Sequence, residues 1–552
     1  MDDGPLATGD RVRVRALLQR PSPPAYPGGW DLQRDAYFAG LGGYGTALGP
    51  VERLQSAEAT QASLQGLREI IAGRIARALT GAEAAIAATL LTGSAAAIPA
   101  ADRAAFRDSG LSHLLAIAGL HIGIVMGLVF GATRGGLALS ERAALFWPLK
   151  AIAACAALAA GLFYLLLTGA HVPILRSFAM ASLVTLGVLA GRPAVSLRGL
   201  GLAMAVIVLA APQEVVGVSF QMSFSAVLAL IAGYALLRPW LSRLHGDGWP
   251  RRLGAHVVGL ALTSALAGTF SAPYAAHHFG HVQLYFVLAN MIAVPITALV
   301  VMPAGLVALL LMPLHLEGLA LAPMGWGISA ILWIAHAASD LPAATVAVAH
   351  IPPWGMVVFS LGLAWLGIWR SRWRVAGLAV MALGLAAPLF ETQPDILVSA
   401  DARLIGYRAE GVMMVQTHAG GSAFTRDAWQ QFWAAPNTQP LDCAGTHCLL
   451  QPSPRATTAL LLRADPDLSV CDQGLLISAE PIRLRCATPP PQIDRFTVWR
   501  QGAQAVWLRP GGAFVLSDRD DRGTRPWVLG LRLAGRLPPN TRPALIETLP
   551  ED

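Results

Sequence analysis

Leu149–Thr168 reads LKAIAACAALAAGLFYLLLT, a run whose only charge is Lys150 near its start. Crossing the hydrocarbon core of a bilayer takes about 20 mostly apolar residues. Backbone polar groups inside a bilayer must be satisfied within the segment, so such a run crosses as a helix. Similar runs lie on either side of it. The candidate spans are 111–132, 149–168, 173–190, 199–212, 215–237, 253–272, 284–312, 319–338, 354–369 and 373–390. The expected fold is an all-α polytopic membrane domain of about ten transmembrane helices over 111–390. The fourth span is short. The seventh is long and carries Pro295 and Pro303, so it is expected to be kinked or split into two half-helices.

Composition points the same way. The chain has 552 residues, 55% hydrophobic and 13% charged, where a soluble domain has about 25% charged. The 55 glycines also suit membrane helices. The net charge of +7 is consistent with an anionic partner or with basic cytoplasmic loops. Basic residues recur between alternate spans: Arg134, Arg142 and Lys150; Arg192 and Arg198; Arg238, Arg243, Arg251 and Arg252; Arg370, Arg372 and Arg374. The positive-inside rule puts these loops in the cytoplasm and both soluble ends outside. For a bacterial inner membrane the outside is the periplasm.

The flanks differ from the middle. Residues 1–55 are polar and turn-rich, and Arg11-Val12-Arg13-Val14-Arg15 alternates as a strand does. Residues 56–110 include an amphipathic helical stretch, with Ile70, Ile71, Ile75 and Leu79 on one face, suited to the membrane surface. Residues 391–552 carry short apolar runs punctuated by Gly and Pro, expected to form a β-rich or α/β soluble domain. Cys443, Cys448, Cys471 and Cys486 all lie in this tail. Their spacing is not that of a zinc ribbon, and disulfides in an oxidising compartment are the favoured reading, with pairing left open.

Ionisable and polar groups within spans are costly and mark candidate sites. His113 and His121 lie eight residues apart, about two helical turns, so they share a face. They line a path or bond within the bundle. Arg176 stands one turn into the third span, where it either snorkels to the interface or faces a hydrated cavity suited to phosphate. Ser219, Gln221, Ser223 and Ser225 follow in the fifth span, and Asn290 in the seventh. His277, His278 and His281 lack a nearby carboxylate to complete a metal set. The tail holds only His418 and His447, with no catalytic motif, and no enzyme activity or cofactor is expected.

Three blocks are recognisable together. Ser109–Gly123, Gly169–Met180 and Ser219–Phe224 resemble, in order and spacing, the signature segments of the ComEC-type DNA internalisation proteins, the competence channel family. Residues 9–50, with Gly28-Gly29-Trp30-Asp31 and Arg34-Asp35-Ala36, are similar to the end of that family's periplasmic OB-like domain. The resemblance implies an inner-membrane channel passing single-stranded DNA into the cytoplasm in natural transformation. It also implies a periplasmic DNA receptor and a cytoplasmic helicase as partners, with membrane lipid around the bundle. His113, His121, Arg176, Gln221, Ser223 and Asn290 are the candidate path. Arg11, Arg13, Arg15, Trp30 and Tyr37 are candidate DNA contacts of a partial OB-like segment, since such folds join basic grooves to stacking aromatics.

Two departures from the family pattern stand out. Many members end in a metallo-β-lactamase-like domain whose metal cluster activates water. Residues 391–552 lack that cluster, so a degenerate version or an unrelated domain is expected. The family also places membrane helices before the OB-like domain. Here only the end of that domain is present, which implies a truncated start or another route for the N-terminal segment. A small-solute or lipid transporter built on the same membrane fold is the alternative function.

Overall fold

The computed structural model describes residues 9–55, 63–94, 97–117, 119–170, 172–191, 196–244, 248–409, 411–435, 437–441, 445–462, 471, 474–483 and 490–528. The chain forms two compact units. One comprises residues 1–14 and 51–388, the other 15–50 and 389–552.

The N-terminal segment has four short strands, β1 (Arg11–Arg13), β2 (Ala16–Gln19), β3 (Tyr44–Ala47) and β4 (Glu52–Gln55), with helix α1 (Leu32–Phe38) between β2 and β3. They pair as two antiparallel ribbons. β1 with β4 belongs to the first unit, β2 with β3 to the second.

The rest of the first unit is mainly helical. Its helices run α2 (Leu64–Ala78), α3 (Gly81–Thr92), α4 (Ala100–Asp108), α5 (Ser112–Leu115), α6 (Gly119–Ala138), α7 (Glu141–Phe146), α8 (Leu149–Leu167), α9 (Val172–Leu189), α10 (Leu197–Ala210), α11 (Val218–Leu244) and α12 (Trp249–Phe279). After strand β5 (His281–Gln283) come α13 (Phe286–Ile296), α14 (Met302–Leu311) and α15 (Glu317–Ser339). Strand β6 (Thr345–Ala347), α16 (Pro353–Ile368) and α17 (Ala376–Leu385) close the unit. β5 and β6 pair antiparallel.

Among the described residues, seven helical stretches are long and apolar enough to cross a membrane: Gly119–Ala138, Leu149–Leu167, Val218–Arg243, Trp249–Phe279, Phe286–Leu314, Glu317–Ser339 and Arg372–Leu389. Shorter apolar helices cover Gly81–Thr92, Ile174–Leu189, Leu197–Ala210 and Pro353–Ile368. The chain is thus a multi-pass membrane protein. Apolar side chains such as Leu209 and Trp326 stand 86% and 74% exposed on these helices, as lipid contact requires.

Three segments depart from the pattern of the sequence. The stretch expected to carry His113 and His121 on one helix is broken. Ala116 turns extended, at φ −80° and ψ 124°, and α5 and α6 are separate. Gly110 precedes the break at φ +79°, and a Cβ there would sit 2.7 Å from the Cβ of Phe286. The seventh span stays helical but widens into a π turn at Thr297–Val301. Pro303 lacks an N–H and its ring crowds the carbonyl four residues earlier, which a wider turn relieves. The stretch beginning at α2 does not lie along a surface. Ile71 and Ile75 of α2, Leu79 just after it, and five residues of α3 are buried in one core with Leu167, Val301, Met324 and Ile328.

The second unit pairs two sheets. Strands β7 (Ile396–Val398), β8 (Leu404–Ala409) and β9 (Val412–Thr417) precede helix α18 (Ala423–Phe432) and strand β10 (Thr438–Pro440). Then come β11 (His447–Leu450), β12 (Ala459–Leu462), β13 (Leu475–Ser478), β14 (Gln492–Ile493), α19 (Arg495–Gln501), β15 (Gln504–Arg509), β16 (Gly512–Ser517) and α20 (Asp518–Arg522). One sheet has the order β10-β9-β8-β7-β15-β16, the other β11-β12-β13-β14. Ile396, Ile405 and Val506 of the first sheet share a core with Leu461, Ile477 and Ile493 of the second. The alternate residues Leu397, Leu404, Met413 and Val415 pack under Trp429 of α18 and Trp433 just after it.

Residues 15–50 form part of this unit. Trp429 donates Nε1–H to Ala25 O at 2.8 Å, and Tyr26 stacks on Phe432 with centroids 4.2 Å apart. Arg522 bridges Asp518 and Asp31, and all three are buried. Cys448 and Cys471 are disulfide-bonded. Cys443 and Cys486 lie outside the described residues.

Candidate functional site at one end of the helical bundle

Arg176 stands on the second turn of α9 and is 6% exposed. Its Nη2 donates to Ser223 Oγ at 3.1 Å, on the second turn of α11. Its Nε and Nη1 are buried with no partner among the described residues. A buried charged donor left unmet costs at least about 1–3 kcal/mol, so this guanidinium is set to receive an acceptor. Its planar fork matches the oxygens of a phosphate or carboxylate.

The neighbouring polar side chains come from other helix ends. Gln221 accepts through Oε1 at 2.8 Å from His278 Nε2 on the last turn of α12, and donates to Val215 O at 3.2 Å. His277 Nδ1 lies 2.6 Å from Ile351 O, just before α16. The His277 ring is 4.7 Å from that of His278 and 5.2 Å from that of His350. His350 lies in the loop before α16, and its pKa is pushed down to about 4, chiefly by burial and further by His277. It is therefore neutral at neutral pH, and the fixed positive charge described here is that of Arg176.

These contacts gather the starts of α9, α11 and α16 and the end of α12 at one end of the bundle. The start of α6 joins them: a Cβ on Gly119 would be 3.8 Å from Ser177 Oγ. α13 starts there too, because the β5–β6 ribbon joins the segment after α12 to the segment before α16. His121 is buried on the first turn of α6. Asn290 is 8% exposed near the start of α13, and its Oδ1 has no partner among the described residues. So His121, Arg176, Gln221, Ser223 and Asn290 all lie within two turns of helix ends at this end. His113 is on α5, exposed, with Nδ1 3.2 Å from Gly110 O. The basic residues Arg134, Lys150, Arg198, Arg238 and Arg372 stand at the opposite ends of α6, α8, α10, α11 and α16.

The candidate DNA contacts divide between the units. Arg11 and Arg13 are exposed on β1 of the first unit, where Arg13 pairs with Glu52 at 3.4 Å. Arg15, Trp30 and Tyr37 belong to the second unit and are exposed. Arg34 lies over the Trp30 ring at 5.9 Å. Tyr37 and Phe38 pack beside Trp527, with centroids 5.9 and 5.6 Å away. Phe38 and Trp527 extend this aromatic surface beyond what the alternating basic strand signalled. Among the described residues no group of His, Cys, Asp and Glu is arranged to hold a metal ion.

Comparison with known proteins adds a family. A family model described as Competence protein matches residues 90–373, just over half of the 552 residues. The chain is similar to ComE operon protein 3 of Bacillus subtilis (strain 168), 25% identical over 264 residues, covering 47% of this chain and 30% of that protein. It is similar to Recombination protein 2 of Haemophilus influenzae, 23% identical over 385 residues, covering 66% of this chain and 45% of that protein. Uncharacterized protein YcaI of Escherichia coli (strain K12) is 29% identical over 231 residues, covering 39% of this chain and 28% of that protein. In each alignment the chain spans less than half of its relative's length. No solved structure matches.

Proposed function

The chain belongs to the competence protein family, and we propose on that basis that it forms an inner-membrane path by which single-stranded DNA enters the cytoplasm in natural transformation. The observation that carries this reading is Arg176, buried with two guanidinium nitrogens unmet at the end of the bundle where six helices meet. A strand carries a charge at every phosphate, so a path through a membrane needs polar, positively charged stations. Arg176 with Ser223 supplies one, flanked by Gln221, His277, His278, His350 and Asn290.

The orientation follows from the charges. Basic residues at the opposite helix ends favour the cytoplasm, which turns the Arg176 end toward the periplasm. Ten spans, counting Ile174–Leu189, Leu197–Ala210 and Pro353–Ile368 with the seven long ones, bring both soluble ends to the periplasmic side. There the OB-like segment, with Arg15, Trp30 and Tyr37, meets the strand by charge and stacking. The strand comes from a periplasmic DNA receptor and is drawn on by a cytoplasmic helicase, partners taken from the family resemblance. The C-terminal sandwich serves as a non-catalytic counterpart of the family's metallo-β-lactamase-like domain.

The test is arrival of labelled DNA in the cytoplasm of the host. A clean deletion is expected to abolish it while periplasmic DNA still accumulates. Arg176→Ala, made and inserted normally, is expected to lose roughly tenfold or more, since a charge-assisted hydrogen bond contributes about 1.5–3 kcal/mol. Normal cytoplasmic uptake in the deletion strain would sink the proposal and favour a small anionic solute or lipid as the cargo.

A further inference from the structure

The last membrane-length stretch runs Arg372–Leu389, and the second unit takes up the chain at Leu389. Leu389 and Phe390 are exposed, and the polar link Glu391-Thr392-Gln393 follows them. Thr392 is three residues past Leu389, so even extended chain keeps it within about 10 Å of the end of that stretch. Asp395 N then donates to Val506 O at 2.8 Å, and β7 pairs antiparallel with β15. This register sets the link beside the end of β15 and the turn between β15 and β16.

That end of the sheet carries an aromatic and basic edge. Trp507 donates Nε1–H to Thr392 O at 2.7 Å, which fixes the indole against the link. Phe514 stands opposite Trp507 across the hairpin, with ring centroids 5.5 Å apart. Arg509 lies over the Phe514 ring, its Cζ 5.8 Å from the centroid. Leu404, Met413 and Val415 on the inner strands are covered by α18, while Phe514 on the edge strand β16 is open. Arg509, Pro510, Gly511 and Gly512 of the turn are all exposed.

The charged side chains of the link and its neighbours are Glu391, Asp395, Arg408 and Arg509. Asp395 accepts from Leu508 N, Arg408 donates to Gln393 Oε1 at 2.6 Å, and Glu391 is exposed. Arg509 is the exposed cation of the turn. Phe424, Phe496 and Trp499 are also exposed, but they belong to the other end of the strands. Phe424 follows the end of β9, and α19 leads into the start of β15.

Aromatic rings with one polar edge collect at the headgroup level of a bilayer, where the ring is dry and the edge is wet. An arginine beside them lays its stem on apolar surface and extends its guanidinium to phosphate. Here a hydrogen bond and a three-residue link gather such a set next to the end of a span. We propose that the Trp507–Phe514–Arg509 edge is a membrane-docking surface whose partner is the phospholipid bilayer. Trp507 and Phe514 enter the headgroup layer beside Leu389 and Phe390, and Arg509 meets a lipid phosphate. The soluble unit is then held at the bilayer by this edge as well as by its link. The claim concerns lipid and stands whether or not DNA is the cargo, and in either orientation of the bundle.

The test places the photo-crosslinking residue benzoylphenylalanine at position 514 of the full chain. The protein is reconstituted in nanodiscs of phosphatidylethanolamine and phosphatidylglycerol, with position 424 as the control. After illumination, peptide mass analysis is expected to find phospholipid joined at 514 and not at 424. Arg509→Glu, a change on an exposed turn, is expected to lower the yield at 514 about fivefold, the weight of one arginine at an anionic leaflet. Lipid captured at Leu209 in a span but not at 514 would overturn the proposal. Equal capture at 514 and 424 would do so too, as would capture of protein at 514 in place of lipid. A yield unchanged by Arg509→Glu would overturn the phosphate contact.

Discussion

Arg522 holds Asp518 through Nε and Nη2 at 2.9 and 2.7 Å, and Asp31 through Nη1 at 3.2 and 3.1 Å. Asp31 also caps α1, accepting from the backbone of Gln33 and Arg34, and accepts from Trp527 Nε1 at 2.9 Å. Removing one member of a buried ion cluster leaves charges unpaired, at a cost of about 3–5 kcal/mol. Arg522→Ala is therefore expected to lower hydrogen-exchange protection in α1 and α18 by that order, and Arg522→Lys by less. Unchanged protection would mean that residues 15–50 are held by other contacts. Asp395 is a different case. Its carboxyl accepts from Leu508 N at 2.8 Å, yet burial holds its pKa above the usual carboxylate range, against the opposing pull of that bond, Arg408 and Arg509. A carboxyl whose pKa is raised by folding favours the fold most when protonated. Its contribution is full below the unfolded value of about 3.9 and is lost as pH rises through the folded value. Asp395→Asn should flatten that part of the stability profile of the soluble unit. An identical slope in wild type and variant would rule the group out.

At the level of elements, glycine sets where helices stop. Gly81 and Gly93 bound α3 at φ +59° and +84°. A Cβ at Gly81 meets nothing within 4 Å, whereas one at Gly93 meets the Thr168 carbonyl. Gly81→Ala is expected to cost only the left-handed penalty of about 1–2 kcal/mol. Gly93→Ala is expected to cost clearly more, read as the thermal midpoint of the full chain in detergent. Equal losses would show that α3 does not end against α8. The apolar runs were legible in the sequence because lipid demands them over the whole length of a helix. The break at Ala116 was not, because neither Ala116 nor Ile117 is a helix breaker and the contact that shapes it, Gly110 against Phe286, joins residues far apart. The prolines of the seventh span signalled an irregularity but not its form, since a π turn and a sharp break share the same local chemistry.

Over the whole molecule, the basic loops and the apolar spans made a multi-pass membrane protein readable from composition and spacing. The three motif blocks pointed to the competence family by their order and spacing, and in the structure they lie at helix starts that meet at one end. What stayed hidden was long-range. Nothing local to Asp31 announces Arg522, and nothing in α2 announces that Arg68 will hold the end of α8. The joining of residues 15–50 to the C-terminal sandwich was illegible on those grounds. The central claim is that a DNA strand passes Arg176. The most direct measurement is to place a photo-crosslinking residue at Ser223 and supply labelled DNA to cells during uptake, with Leu209, on the apolar surface, as the control position. Labelled strand captured at position 223 and not at 209, in a complex lost when uptake is blocked, is the predicted result. Capture at neither position, in cells that import the DNA normally, would contradict the account.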